Sequence, residues 1–284
     1  YEMQRSLVGS EMCIRDRRTG AKVVMEIPTY PYDQEYVTRS MKFHLAIDRC
    51  FRHKLAKALD GIVTFSNAEE IFGGNTIRIS NGIDFEAIPM KKQQNDTSKE
   101  LHLIGVAEVH YWHGFDRLVR GLADYYRNNP EYKVYFHIVG PLSGERERAG
   151  ILPVVRDNHL EPYVLLHGPL HGDELDAMFE KADFAIGSLG RHRSGITYIK
   201  TLKNREYAAR GFAFTYSETD DDFDHMPYVW KVAPDESPVD IQGLIDFRKT
   251  LKMTPAEIRE SVCPLSWNCL LYTSPSPRDY AASR

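Results

Sequence analysis

The densest collection of side chains able to do chemistry lies in residues 196–214, ITYIKTLKNREYAARGFAF, where Glu206 stands among Lys200, Lys203, Arg205 and Arg210. Cations at this density suit an anionic ligand such as phosphate, which Arg meets with a planar fork and Lys with a mobile point charge. The competing reading is a solvated basic helix with Glu206 in local ion pairs. Leu202, Tyr207 and Ala209 are its expected packing residues, and Gly211 suits a left-handed helix terminus. More cations lie upstream: Arg191, His192 and Arg193 in LGRHRSG, and His113 next to Gly114. Glycines admit backbone N–H groups close to an oxyanion, and helix N-termini favour negative charge by about 0.3–1 kcal/mol. A phosphorylated ligand is the natural inference. No loop matches GxGxxG or a P-loop, and turn formation explains any single glycine equally well.

Two other constellations compete. Asp220, Asp221, Asp222, Asp224 and His225 in TDDDFDH are residue types that hold Mg²⁺ or Mn²⁺. Their place late in the chain favours a solvated acidic loop, because a run of like charges seeks water. His167 and His171 are separated by Gly168 and Pro169 and share no helical face, which removes the usual zinc geometry. Near the start, Glu26, Tyr30, Tyr32 and Glu35 in MEIPTYPYDQEY follow a strand end. Aromatic planes and carboxylates suit sugar hydroxyls and apolar ring faces; packing around the two prolines explains the tyrosines as well.

These residues need a scaffold, and its rhythm is α/β. Residues 22–27, 61–66 and 76–80 read as short strands with a helix over 45–59, the pattern of a parallel sheet. The polar stretch 91–99, KKQQNDTSK, reads as a linker. Beyond it, strands are predicted at 101–106, 134–139, 164–167, 184–187 and 212–216, and helices at 115–128, 145–158, 173–182 and within 196–211. The second half is a complete doubly wound unit, whereas the first half, 18–90, has too few strands for a whole domain. Ligands of such sheets sit at the carboxyl ends of the strands, which is where His113, Gly114, Arg191 and Arg193 fall.

The 284 residues are 42% hydrophobic and 27% charged with a formal net charge of −4, so no global field for nucleic acid is expected. No apolar run reaches the roughly 18 residues of a membrane span. The ends carry a peculiarity. Residues 269–279, CLLYTSPSPRD, can be encoded by a string whose reverse complement, read in another frame, gives LVGSEMCIRD, which is residues 7–16. The string resembles a sequencing-library adapter, so 1–17 and 269–284 are expected to be non-native tails, with the first domain truncated. Excluding them leaves Cys50 and Cys263, which frame no disulfide network and point to a reducing, cytoplasmic compartment.

The segments GVAEVHYWHGFDRLVRGL, VYFHIVGP, VLLHGPLHGDELDAMFEKADFAIGSLG and LKNREYAARGFAF, in that order, resemble the C-terminal domain of GT-B glycosyltransferases of family 4, the glycosyl transferases group 1. Upstream, TFSNAEEIFGGNTIRISNGID is similar to the end of that family's N-terminal domain. LGRHRSGI followed by LKNREYAARG resembles a subgroup of cell-surface polysaccharide biosynthesis. The resemblance implies two Rossmann-like domains. It also implies metal-free, retaining transfer of a sugar from a nucleotide-diphosphate donor to a glycan or lipid-linked acceptor. The acceptor is compatible with peripheral contact at the inner face of a membrane. Donor-binding residues are then Glu206, as a ribose ligand, with Lys203, Arg193, Arg191, His113 and Gly114. Glu26, Tyr30, Tyr32 and Glu35 are the acceptor-side candidates, and no catalytic residue and no metal ligand is assigned. Two departures stand out. Tyr198 occupies the position of the family's first motif glutamate, and His113 that of a lysine. They keep open a non-catalytic nucleotide-sugar-binding protein or a nucleotide-sugar epimerase. The truncated chain is expected to turn over little or no substrate.

Overall fold

The computed structural model describes residue 20 and residues 22–92 and 94–273; of the proposed tails 1–17 and 269–284, all of the first and residues 274–284 of the second lie outside them. The chain divides into two units, one running to Ser80 and taking in Tyr272 onward, the other Asn81–Leu271. The division falls ahead of the expected linker 91–99. That segment is strapped to the larger unit instead of hanging free. The ammonium of Lys91 donates to the carbonyls of Phe179, Glu180 (2.9 Å) and Ala182, and Asn95 donates to Asp183 Oδ1 at 2.8 Å.

In the smaller unit, β1 (Val24–Glu26), β2 (Gly61–Thr64) and β4 (Gly74–Arg78) run parallel, and the short β3 (Glu70–Ile71) pairs antiparallel with β4, giving the order β1-β2-β4-β3. Helix α1 (Arg39–Ala58) starts well before the expected residue 45, because Thr38 caps it by accepting from the Met41 N–H. The core is small: Ile27, Tyr32, Leu45, Ala56, Ile62 and Ile71.

In the larger unit six parallel strands follow the order β10-β9-β8-β5-β6-β7, formed by β5 (Glu100–Val106), β6 (Lys133–Val139), β7 (Val164–Gly168), β8 (Phe184–Ile186), β9 (Phe214–Tyr216) and β10 (Val229–Lys231). This is a doubly wound sheet whose direction of build reverses between β5 and β8. Leu101, Leu103, Ile104, Val134, Phe136, Ile138, Phe184, Ile186 and Phe214 are buried in one core, as expected of strands covered on both faces. Helices α2 (Phe115–Tyr126), α3 (Glu145–Asp157), α4 (Gly172–Lys181) and α5 (Leu202–Ala209) make the crossovers. The predicted strands and helices of this unit match these elements to within a few residues, except that α5 is shorter than 196–211 allows. Beyond residue 216 the structure adds β10 and helices α6 (Ile241–Thr250), α7 (Pro255–Ser261) and α8 (Trp267–Thr273). Their starts are written in their caps: Asp240 accepts from Gly243 N–H, and Thr254 and Glu257 form a reciprocal capping box. Helix α8 runs across residue 269, where the C-terminal tail was expected to begin.

Three adjacent strands carry a histidine ladder that their separate sequences do not announce. His102 Nδ1 lies 2.9 Å from His137 Nε2, and His137 Nδ1 lies 2.9 Å from His167 Nε2, with Glu100 3.3 Å from the outer nitrogen of His102. Burial, reinforced by the neighbouring imidazoles and Lys181, pushes His137 down to about 4.

Candidate functional site

The loops leaving β5, β8 and β9 are stitched together at the point where the sheet reverses direction. Leu189 N–H donates to the His113 carbonyl at 2.8 Å, Gly190 N–H to Trp112 at 3.1 Å, and Ser217 N–H to Ser188 at 2.9 Å. Gly114 sits at φ 64°, where a Cβ would stand 2.7 Å from the Leu189 carbonyl carbon, so the close approach of the two loops requires glycine. Arg117, buried in α2, donates to the Leu189 carbonyl and to Ser237 O at 2.8 Å, bracing the loop from beneath. Tyr207 of α5 bridges the gap itself: its hydroxyl donates to Ile186 O (3.1 Å) and accepts from Val106 N–H (3.2 Å). Helix α5 is thereby pinned across the ends of β5 and β8.

Lys203 rides on the first turn of α5. Its Nζ is buried without a hydrogen-bond partner, 6.0 Å from the centre of the Phe115 ring. Burial and the like charge of Arg191 depress it to about 7, against the pull of Glu218 and Glu206. Arg191 lies over Trp112, 5.8 Å from the ring centre. Glu218, just beyond β9, is only 2% exposed, and neither carboxylate oxygen has a hydrogen-bond partner. Burial raises it to about 7, with Arg191, the residue's own backbone N–H and Lys231 acting in the opposite direction. Asn204 Oδ1 and Thr215 Oγ1, on α5 and β9, are likewise buried and unmatched. Unmatched buried polar atoms are rare in folded proteins, which makes those on α5, on β9 and just after β9 candidates for polar contact with a ligand.

The other expected donor-site residues are placed less uniformly. Glu206 is partly exposed on α5, with Oε1 accepting from Arg210 Nε at 3.1 Å, while Arg210 also reaches Asp176 at 2.7 Å. His113 is buried, and its Nδ1 accepts the His110 N–H at 2.9 Å, which leaves its proton on Nε2. Burial together with the charges of Lys203 and Arg191 holds His113 well below the usual histidine range. It is therefore a neutral donor, not the cation with near-neutral titration expected from its type. Arg193 is engaged as a clamp: it donates to Asp116 Oδ1 (2.7 Å), Glu236 Oε2 (2.6 Å) and the Tyr111 carbonyl (2.8 Å). Those two carboxylates occupy its fork, so its charge is spent within the chain.

Two expectations about this region are corrected. Leu202, expected to pack, is 56% exposed, whereas Arg205 is fully buried. Arg205 donates to Asp220 Oδ2 at 2.7 Å, to Asp222 and to the carbonyls of Thr201 (2.9 Å) and Asn81 (3.0 Å). The acidic run is accordingly no solvated loop. Asp220 is fully buried, Lys200 reaches Asp222 at 3.0 Å, Lys231 reaches Asp224 at 2.8 Å, and the Tyr198 hydroxyl donates to Asp221 at 2.5 Å. Cations and a tyrosine satisfy the carboxylates that sequence alone sends to water. No group of three or more His, Cys, Asp or Glu among the described residues is arranged to hold a metal ion.

In the smaller unit Tyr32 is buried, its hydroxyl donating to Asp48 at 2.7 Å, and Tyr30 packs edge-on against Phe72 with ring centres 5.5 Å apart. The two tyrosines follow their packing reading, while Glu26 is exposed and Glu35 half-buried. Glu218 was not among the residues that sequence pointed to. Its one signal is position, directly after the apolar FAFTYS that forms the end of β9.

No family model matches the chain, and no curated protein matches it. Solved structures do. Sucrose-phosphate synthase of Thermosynechococcus elongatus is similar at 16% identity over 98% of this chain and 71% of that one, with a TM-score of 0.71. A glycosyltransferase of Rickettsia africae shares 11% identity over 99% and 83% of the two chains, TM-score 0.65. The Anabaena protein HepE, solved with UDP and glucose, shares 13% over 96% and 74%, TM-score 0.63. The fold is thus the mixed α/β architecture of GT-B glycosyltransferases, with parallel sheets in Rossmann-like units. Identities this low establish architecture alone.

Proposed function

We propose that the chain is a retaining glycosyltransferase. It moves a sugar from a nucleotide-diphosphate donor to a glycan or lipid-linked acceptor in cell-surface polysaccharide synthesis, without a metal. The observation that carries the reading is the buried, unmatched Lys203 Nζ beside Arg191 and Gly114 at the reversal point of the larger sheet. Ligands of doubly wound sheets bind there. HepE, of the same fold, was solved with UDP and glucose.

Breaking the anomeric bond puts negative charge on the departing diphosphate and oxocarbenium character on the sugar. A cation aimed at the diphosphate stabilises the transition state more than the ground state. Lys203 and Arg191 supply that charge, the neutral Nε2–H of His113 adds a hydrogen bond, and Glu206 takes the ribose hydroxyls. The first turn of α2 behind Gly114 presents backbone N–H groups to the same anion. Transfer of the proton on Lys203 is unnecessary once phosphate arrives, because the anion raises its proton affinity. Retention of anomeric configuration and the polysaccharide role rest on the order of sequence segments and on the LGRHRSGI–LKNREYAARG pair.

Isothermal titration of the chain with UDP, GDP, ADP and CDP tests the reading. One of them should bind, and Lys203→Met should weaken it by about 10–150-fold, the equivalent of one hydrogen bond to a charged group. No binding by any of the four would sink the proposal. A non-catalytic binding protein is the second reading, favoured by Tyr198 donating to Asp221 at a position where a carboxylate is expected. Release of nucleoside diphosphate from a nucleotide sugar in the presence of acceptor glycans, measured on a full-length version because the chain itself is expected to turn over little substrate, separates the two.

A further inference from the structure

We propose that Glu218 receives hydroxyl groups of the transferred sugar and so sets which donor the site accepts. The inference rests on the nucleotide-sugar reading and deepens it. Glu218 follows directly on β9, is almost fully buried, and leaves both carboxylate oxygens without a hydrogen-bond partner. Asp220, two residues further on, shows that the chain can satisfy a buried carboxylate in this neighbourhood, since the Arg205 guanidinium grips both of its oxygens. Lys231 acts on Glu218 through its charge and gives its hydrogen bonds elsewhere. The Lys231 ammonium donates to the backbone carbonyl of Glu218 and to the Asp224 side chain. An ionisable side chain buried and unmatched is costly, and such groups concentrate where a ligand completes them.

The chemistry of the missing partner follows from charge. Phosphate is excluded beside a carboxylate and goes to Lys203 and Arg191, both within electrostatic reach of Glu218. What remains for Glu218 is a neutral donor next to an anion, and a sugar esterified to a diphosphate offers that combination. Its two carboxylate oxygens, neither held by another side chain, match two neighbouring hydroxyls. A site built to hydrogen-bond a hydroxyl rejects the analogue lacking it far more strongly than an apolar pocket rejects an extra group.

The test compares bare nucleoside diphosphates with their sugar esters by titration calorimetry. UDP, GDP, ADP and CDP are measured beside their glucose, galactose, mannose and N-acetylglucosamine esters. In the unaltered protein the preferred ester should bind at least 10-fold more tightly than its own diphosphate. Glu218→Gln should bring that ratio close to one, while affinity for the bare diphosphate stays the same or improves through removal of a negative charge. An unchanged ratio in Glu218→Gln overturns the assignment. Monodeoxy sugar donors give a second measurement on the unaltered protein that needs no variant to fold. One or two deoxy positions should lose about 10-fold or more, and equal affinity for every deoxy donor overturns the inference. Failure of the unaltered protein to bind any nucleoside diphosphate is a different outcome, overturning the underlying functional reading and this inference with it.

Discussion

In the smaller unit, α1 turns Phe43, Ile47, Phe51 and Leu55 to solvent at four-residue spacing, Phe43 65% and Phe51 57% exposed. In the larger unit the exposed large apolar residues, such as Leu152, Leu166 and Leu202, are scattered, and the apolar side chains of its strands share one core. The larger unit is incomplete in a different currency: its unmatched atoms are polar, and they lie on α5, within β9 and in the segments that follow β8 and β9. An apolar stripe is completed by another apolar surface, an orphaned ammonium or carboxylate by a hydrogen-bonding ligand. The smaller unit also holds one such atom among its described residues, Arg52 Nε, so the contrast is one of degree: its unfinished surface is mainly apolar, and that of the larger unit mainly polar.

The largest expected effect tests whether buried charge in the larger unit comes in two kinds. Arg205 and Asp220 are both fully buried and gripped in a fork. Removing one partner of such a pair leaves an uncompensated buried charge, so Arg205→Leu should destabilise the larger unit by about 3–5 kcal/mol in urea unfolding. Glu218→Gln should move stability the opposite way at pH 8, because the cost of burying its charge outweighs the pull of the groups around it. Loss of stability in both variants would erase the distinction between structural and ligand-directed charges.

The sign of that second effect depends on pH. Burial holds Glu218 at about 7, above its ordinary 4.5. The stability that its protonated form contributes is fully present below pH 4.5 and is lost as pH rises through 7, amounting to roughly 3 kcal/mol. Unaltered protein and Glu218→Gln should therefore converge near pH 5 and separate toward pH 8. The histidine ladder runs the other way. His137 is held at about 4, below the ordinary 6.5, so its contribution is present above pH 6.5 and disappears as pH falls through 4. His137→Gln should flatten an acid-side loss of roughly 3 kcal/mol between pH 6.5 and 4, since a neutral side chain has no proton to gain. An unchanged acid limb in the variant would mean that the ladder does not couple to folding.

The larger unit was legible in sequence because parallel strands buried on both faces leave continuous apolar runs, as in FAF and VYFHIV, bounded by glycine. Gly211, read as a left-handed terminus, has φ 84° and a Cβ position 2.6 Å from Pro255. Charge was harder to place. Arg205 looks like a surface residue of a basic helix until Asp220, fifteen residues later in the same unit, is folded against it. Glu218 and the histidine ladder depend on register between strands, such as Ile104 opposite His137, which no single segment encodes. Clusters close in sequence were visible, and those assembled by tertiary pairing were not.

The smallest effect sharpens the comparison from the other side. Phe43 and Phe51 lie on the exposed stripe of α1, outside the core of Ile27, Leu45, Ile62 and Ile71. Their replacement removes little buried area, so Phe43→Ser with Phe51→Ser should change unfolding free energy by no more than about 0.5 kcal/mol per site, the usual range for surface positions. Leu103→Ala on β5, where the side chain is fully buried, should cost about 2–5 kcal/mol by the same measurement. The stripe should show itself in association instead. Light scattering at rising concentration should report less self-association for the serine pair than for the unaltered chain, because an exposed apolar row is adhesive. A cost from the serine pair as large as that of Leu103→Ala would mean that the stripe belongs to the folded core of the smaller unit. The contrast between the two unfinished surfaces would then fail at its apolar end.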